Sequence, residues 1–201
     1  MKHHQKATDA ISKKSYGEKL AILSLLLLTI STLCLLLSKK NIIFVNLTRS
    51  MPLGVWIRSS KEVAHADRGD RVIVCPPNNS ISQRAKKELI FLSGSCPGDY
   101  APLLKEIIGL PGDTIREGYI IVYADGEVDS RFPLNKESIS HFLVKPSHAF
   151  YLGLKEYWMI GSSLPSRSFD SRYFGPIRSE NLIAVVEPFF TSFATRLSVH
   201  R

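Results

Sequence analysis

Cysteine is scarce in this sequence: three residues in 201 are too few for a disulfide-dense scaffold, and none lies in a zinc-type spacing. The motifs H-E-x-x-H, G-x-S-x-G, G-x-G-x-x-G and S-x-x-K and the P-loop are all absent. We therefore expect neither a metal ion nor a cofactor. A hydrophobic fraction of 44% with 22% charged residues excludes intrinsic disorder and a multi-span membrane protein.

The net charge of +8 is spread along the chain rather than concentrated. Residues 1–19 carry a net charge of +3, residues 20–37 carry no charge, and the remaining 164 residues hold 21 basic and 16 acidic groups. A nucleic-acid-binding protein would show a basic stripe with interleaved aromatic residues. We expect no nucleic-acid partner, and a mildly cationic domain near an anionic membrane fits the distribution better.

Residues 20–37 form an uncharged apolar run without proline or glycine. At 1.5 Å per residue this run spans about 27 Å as a helix, which is enough to cross the hydrocarbon layer. A cleavable signal peptide would need a shorter apolar region and a small-x-small site, which the following LLLSKKN lacks. We predict a single-pass transmembrane anchor, preceded by a basic tail over residues 1–19 without regular structure. The more positive N-terminal flank favours a cytoplasmic tail, although Lys39 and Lys40 weaken that bias.

Short β-type runs separated by turn residues follow the anchor. They cover residues 55–58, 71–75, 107–110, 119–123, 149–153 and 181–187. Only residues 80–92 have a helical pattern, with Ser80 and Gln83 placed as a capping box. We predict a mainly β domain over residues 41–188, an irregular β-barrel or sandwich with one short helix, and a C-terminal tail over residues 189–201.

Cys75 and Cys96 flank the predicted helix. A disulfide between them would close a loop of about twenty residues, for which chain-entropy estimates give roughly 3 kcal/mol. It would also indicate an oxidising compartment, in agreement with a domain outside the cytoplasm. Two separate buried thiols are the alternative, which the spacing leaves open.

Three local clusters contain candidate functional residues. In the first, residues 46–56, Ser50 precedes Met51-Pro52, where the proline fixes a turn that can project the serine hydroxyl into a cleft. An ordinary structural turn is the alternative. In the second, residues 102–113, Lys105 interrupts an apolar run and shares a strand face with Leu103 and Ile107.

Burying the charge of Lys105 would cost several kcal/mol unless its pKa falls, and a neutral lysine amine can act as a general base. A lysine that snorkels from a sheet edge beside Glu106 is the equally weighted alternative. The third cluster, residues 166–176, combines serines with Asp170 and Arg172, which can form a bidentate pair. Its alternative is a solvated polar loop.

Together the clusters resemble the type I signal peptidases, the serine-lysine family. The resemblance covers most of the chain, from the anchor to residue 176, and its four boxes appear in order: Ser50-Met51-Pro52, then residues 68–74, 105–113 and 168–175. General leader peptidases have an extra residue between Met and Pro, a basic residue where this chain has Glu106, and Gly-Asp-Asn in place of residues 161–163. The compact nucleophile box and the run FDSRYFGP are more similar to the TraF-type conjugal-transfer peptidases, which process pilin precursors.

This resemblance implies the roles of the site residues. Ser50 would be the nucleophile and Lys105 the general base, with Thr48 contributing its hydroxyl to the oxyanion site. Ser168 would orient the lysine. Asp170 and Arg172 would support that loop.

The resemblance also implies where the protein works and what it meets. It places the protein in the inner (cytoplasmic) membrane, with a catalytic domain on the periplasmic side near the lipid surface. The expected partner is a membrane-anchored precursor, a pilin or another preprotein, and we expect a monomer. A general leader peptidase and a non-catalytic membrane scaffold of the transfer apparatus are the alternatives. A self-cleaving Ser-Lys repressor is disfavoured, because an apolar anchor occupies the place of its DNA-binding module.

Overall fold

The computed structural model describes the backbone of residues 2–39, 42–117, 119–133 and 149–192. The chain divides into two compact units, Met1–Ile43 and Phe44–Arg201. The first unit contains one long helix and the second contains the sheets. The second unit is mainly β with few helices, which confirms the predicted fold class.

Helix α1 spans Lys2–Lys39, and its Tyr16–Leu33 window is long and apolar enough to cross a membrane. The described leucines of this window are exposed, and the hydroxyls of Ser24, Thr29 and Thr32 donate to backbone carbonyls three or four residues earlier. The helix is therefore compatible with a single-pass anchor. The prediction that residues 1–19 lack regular structure is wrong, because this proline-free segment continues the backbone helix of the apolar run.

The described strands are β1 Ile43–Asn46, β2 Gly54–Arg58, β3 Arg71–Val74, β4 Leu103–Gly109, β5 Thr114–Arg116, β6 Ile120–Val122, β7 Val128–Asp129, β8 Phe150–Tyr151, β9 Glu156–Ile160, β10 Ile177–Arg178 and β11 Leu182–Thr191. They form two sheets. The seven-stranded sheet has the order β1-β2-β11-β3-β4-β9-β10, and the four-stranded sheet has the order β7-β6-β5-β8.

All six predicted β runs overlap observed strands, while β1, β5, β7, β9 and β10 were not predicted. Strand β11 ends at Thr191, three residues beyond the predicted domain boundary. Residues 193–201, most of the predicted C-terminal tail, lie outside the described residues.

The described residues of the second unit form two α-helices, α2 over Ser80–Lys87 and α3 over Ser171–Phe174. The predicted capping box is wrong: Asn79 is the N-cap, and its side chain accepts from the Ser82 N–H. Helix α2 ends earlier than predicted, and Leu89 shortly beyond it adopts a positive φ of 59°. Helix α3 was missed because four residues carry no periodic pattern.

Strands β3 and β4 lie at the centre of the large sheet and position the site. Val72 on β3 is the antiparallel partner of Lys105 on β4. On either side of these strands the apolar residues form buried clusters, one of which includes Ile107, Met159 and Phe169. A disulfide joins Cys75 and Cys96, closing the segment that contains α2. The predicted pairing is present, and the two separate thiols are excluded.

Candidate active site

The loop between β1 and β2 carries Ser50. The Asn46 side chain organises this loop: its amide nitrogen lies 2.9 Å from the Thr48 carbonyl oxygen and 3.0 Å from those of Met51 and Pro52. The Asn46 Oδ1 accepts from both the backbone N–H and the hydroxyl of Thr48, at 3.1 and 2.9 Å. The loop is thereby fixed around Ser50, which is only 8% exposed. An ordinary surface turn does not describe this arrangement.

The Thr48 hydroxyl lies between Asn46 and Ser50. Its oxygen is 2.9 Å from the Asn46 Oδ1 and 3.3 Å from the Ser50 Oγ. Because an amide oxygen only accepts hydrogen bonds, the Thr48 proton points toward Asn46. The Ser50 hydroxyl is then the donor to Thr48 in this arrangement.

Lys105 is buried in strand β4, with 3% of its surface exposed. Its Nζ donates a hydrogen bond of 2.8 Å to the Ser168 Oγ. Burial lowers the pKa of the Lys105 amine from 10.5 to about 8, while the negative charge of Asp170 opposes this change and Arg172 adds to it. The side chain does not snorkel to solvent, so the desolvated-amine alternative is the one observed.

The loop that supplies Ser168 is supported by a buried ion pair. The Arg172 Nε and Nη2 donate to the two carboxylate oxygens of Asp170, both at 2.8 Å, and both side chains are completely buried. Burial alone would lower the pKa of Arg172, but the hydrogen bond and charge of Asp170 raise it overall. Arg172 also donates to the carbonyl of Pro165, before Ser168. The predicted pair is therefore structural, and the solvated loop is excluded.

Gly161, directly after β9, separates the two serines of the site. A Cβ at this position would lie 2.4 Å from the Ser168 Oγ and 2.7 Å from the Ser50 Cβ. The Gly161 N–H donates to Asp170, and the Ser163 N–H donates to the Ser50 carbonyl at 3.0 Å. This segment therefore holds the loops of Ser50 and Ser168 together.

Ser50 and Lys105 line the same cavity, which has a volume of about 570 Å³. The rest of its wall is partly apolar and partly cationic: Thr48, Arg49, Ile90, Phe91, Leu103, Arg167 and Phe169. A buried amine and a hydroxyl that face one cavity can perform nucleophilic acyl transfer. Among the described residues, no group of three His, Cys, Asp or Glu side chains is placed to hold a metal ion.

Sequence reasoning missed several residues of the site. Asn46 opened the first cluster but was given no role, and its position before a Thr-x-Ser turn was the available signal. Gly161 was noted only as a departure from a family box. Ser162, also noted only there, donates a short hydrogen bond to Glu106. The contacts of Gly161 with Ser50 and of Ser162 with Glu106 join residues distant in sequence, which no local pattern reveals.

Comparison with known proteins places this chain in a family. The family model described as "Signal peptidase, peptidase S26" matches residues 15–190 of the chain. The chain belongs to this signal peptidase family. The chain is 37% identical over 149 residues to a conjugal transfer protein TraF of Agrobacterium fabrum, covering 73% of this chain and 81% of the relative. It is 31% identical to a plasmid transfer protein TraF of Escherichia coli, at coverages of 73% and 82%.

Two further matches carry the signal peptidase I name. A signal peptidase I V of Bacillus subtilis is 34% identical over 121 residues, covering 54% of this chain and 70% of the relative. A solved signal peptidase I of Enterococcus faecalis matches at a TM-score of 0.34 and 20% identity, covering 64% of this chain and all of that one. The resemblance to the signal peptidase family and to its TraF-type members is confirmed by the sequence relatives.

Proposed function

We propose that this signal peptidase family member is a membrane-anchored endopeptidase that uses Ser50 as nucleophile and Lys105 as general base. The observation that carries the proposal is the burial of Lys105 beside a cavity that it shares with Ser50. With a pKa of about 8, roughly one amine in ten is neutral at pH 7. An amine at the ordinary value of 10.5 would be neutral in only about one molecule in 3000.

The hydrogen bond from Lys105 to Ser168 orients the base. A neutral amine has two N–H donors and one lone pair, and donation to Ser168 uses one N–H while the lone pair stays available. The lone pair accepts the Ser50 proton as the Ser50 Oγ attacks a peptide carbonyl. The Lys105 ammonium then returns that proton to the departing amine, which leaves an acyl-enzyme. Water or a peptide amine resolves this ester, giving hydrolysis or cyclisation respectively.

The oxyanion of the tetrahedral intermediate is stabilised by the Ser50 backbone N–H and the Thr48 hydroxyl. Since the Thr48 proton is engaged by Asn46 before substrate binds, the hydroxyl rotates to donate to the developing charge. Loss of one such donor typically costs about 100- to 1000-fold in rate. Asn46, which holds the carbonyls on both sides of Ser50, keeps the nucleophile in place during that rotation.

The substrate in this proposal is a membrane-anchored precursor of a conjugative pilin. The relatives named as TraF conjugal or plasmid transfer proteins support a role in conjugation. The disulfide supports a domain in the periplasm, because such bonds persist in oxidising compartments. The apolar helix then anchors the enzyme in the inner membrane, where the precursor is presented.

Co-expression with a conjugative pilin precursor tests the proposal. We expect Ser50→Ala and Lys105→Met to abolish precursor maturation, measured by the mass of the pilin product. The controls Ser60→Ala and Lys155→Met change exposed residues outside the cavity and should process normally. A serine-acylating inhibitor should add its mass to wild type and not to Ser50→Ala. Normal processing by either site variant would remove the proposed pair, and processing of signal-peptide reporters alone would favour a general leader peptidase.

A further inference from the structure

Two arginines flank the reacting groups of the cavity. Arg49 immediately precedes Ser50, and Arg167 immediately precedes Ser168, the hydrogen-bond partner of Lys105. Both arginines are exposed and both line the cavity. Each of these cationic residues is therefore the sequence neighbour of one of the two serines of the site.

The described residues provide no partner for either guanidinium group. Within the described ranges, the side chains of Arg49 and Arg167 have no hydrogen bond or ion pair, whereas Arg68, Arg131 and Arg172 each pair with an aspartate. The described wall of the cavity contains no aspartate or glutamate.

The two acidic residues nearest in sequence to the site are already engaged. Asp170 is buried against Arg172, and Glu106 accepts from Ser162. The guanidinium groups of the wall thus lack a counter-charge among the residues that the structure describes.

We propose that the peptide bound in this cavity carries acidic side chains close to its scissile bond, which Arg49 and Arg167 bind. This inference rests on the proposed function and adds the charge of the substrate to it. A guanidinium binds a carboxylate through two parallel N–H donors, which fixes orientation as well as supplying attraction. The apolar wall formed by Ile90, Phe91 and Phe169 contacts the rest of an extended peptide.

The charges also select against other substrates. A lysine or arginine next to the scissile bond would face two arginines and the Lys105 ammonium formed during the reaction. Like charges held this close reduce binding, so discrimination between acidic and basic peptides combines attraction and repulsion. Hydrogen bonds to charged groups correspond to roughly 10- to 100-fold in affinity, and we expect about tenfold for each arginine.

The first measurement profiles cleavage by the full-length protein in detergent micelles. A peptide library with every residue type around the cleaved bond is digested, and the products are sequenced by mass spectrometry. We expect the peptides cleaved by wild type to be enriched in aspartate and glutamate near the cleaved bond. Those cleaved by Arg49→Glu/Arg167→Glu should be enriched in lysine and arginine instead. Unchanged residue preferences in the reversed variant overturn the inference.

The second measurement does not depend on catalysis. Two fluorescent alanine-rich decapeptides, one with two glutamates and one with two lysines at the same positions, are titrated onto Ser50→Ala. We expect the acidic peptide to bind at least about tenfold tighter, with the difference lost in Ser50→Ala/Arg49→Gln/Arg167→Gln. Equal affinities in Ser50→Ala overturn the inference.

A matched control separates a local effect from the net charge of +8. Arg116→Gln/Arg178→Gln also removes two positive charges, but from exposed positions outside the cavity, and this variant should still prefer the acidic peptide. If this control loses the preference equally, the inference fails. Stimulation by phosphatidylglycerol vesicles that disappears with Arg49→Gln/Arg167→Gln, without any peptide preference, would assign the arginines to lipid instead. Cleavage that persists in Ser50→Ala contradicts the proposed nucleophile and leaves the charge readout intact.

Discussion

The Lys105 amine donates to the Ser168 hydroxyl at 2.8 Å, in a site where both side chains are almost fully buried. In the folded protein, one hydrogen bond to Ser168 replaces the hydration of the Lys105 amine. Its lowered pKa therefore depends on exclusion of solvent, and the reaction rate should depend on pH accordingly.

We expect kcat/KM to rise with pH and to level off above about 8. The active form of Lys105 is the neutral one, so below its pKa the rate increases about tenfold per pH unit. Initial rates on one cleaved peptide between pH 6 and 9.5 measure this dependence. A rate that is flat across this range, or that falls as pH rises from 6 to 8, contradicts a lysine base.

Lys105→Met should make the protein more stable at neutral pH while abolishing its activity. Because the pKa of Lys105 is lower in the folded state than in the unfolded chain, folding must release a proton or bury a charge. The difference from 10.5 to about 8 corresponds to about 3 kcal/mol at pH 7. The lost bond to Ser168 offsets part of that gain.

The pH dependence of this stability difference has a definite sign. Between pH 8 and 10.5 the unfolded state binds more protons, so the unfolding free energy of wild type rises toward that of Lys105→Met. Urea denaturation of both proteins at pH 7 and pH 10 measures the difference, and Lys155→Met controls for the loss of a lysine charge. A difference that does not shrink as pH rises would show that Lys105 is solvated.

Gly161→Ala should abolish activity, because the added methyl group overlaps both serines of the site. Its Cβ would lie 2.4 Å from the Ser168 Oγ, and relief requires movement of that loop. Overpacking of this kind costs about 1–3 kcal/mol in stability. Gly153→Ala is the matched control, since its Cβ meets only the flexible Glu156 side chain at 3.4 Å. Acylation by the serine-reactive inhibitor measures the loss of activity, and thermal unfolding measures the loss of stability. Full acylation of Gly161→Ala would contradict the expected overlap with the two serines.

Replacing both Cys75 and Cys96 with serine should destabilise the domain and weaken substrate binding. The bond spans 21 positions, and loss of such a cross-link costs roughly 3 kcal/mol in the chain-entropy account. Ile90 and Phe91 lie within the closed segment and line the cavity, so we expect KM to rise more than kcat falls. Peptide kinetics and denaturant midpoints with and without reductant check this. If reduction of the disulfide leaves KM unchanged, the disulfide does not influence substrate binding in the cavity.

The sequence predicted the mainly β fold class and the apolar surroundings of Lys105, but it did not predict every strand around the site. The unusual position of Lys105 was visible because apolar residues surround it in the sequence, and Lys105 and Ile107 are both buried. The burial pattern of β4 does not alternate, because both faces of this central strand are largely covered. Strand β9 was missed because Tyr157 to Ile160 form a continuous apolar run, which has no alternation. The helical state of residues 2–19 was missed because their composition is polar, and composition does not report continuity with a neighbouring helix.

Apart from the Cys75–Cys96 disulfide and the contact of Lys105 with Ser168, contacts between distant segments could not be predicted. Gly161 separates Ser50 from Ser168 because the fold brings the β1–β2 loop against the segment that follows β9. Likewise, Arg49 and Arg167 are 118 positions apart in the sequence and share a cavity only in the folded chain.

None of the described residues that line the cavity belongs to the four-stranded sheet β7-β6-β5-β8. Its exposed hairpin at Asp125-Gly126 is therefore a convenient place for a dye or an affinity handle. A label there would let the protein be located or captured in living cells without disturbing the reacting groups.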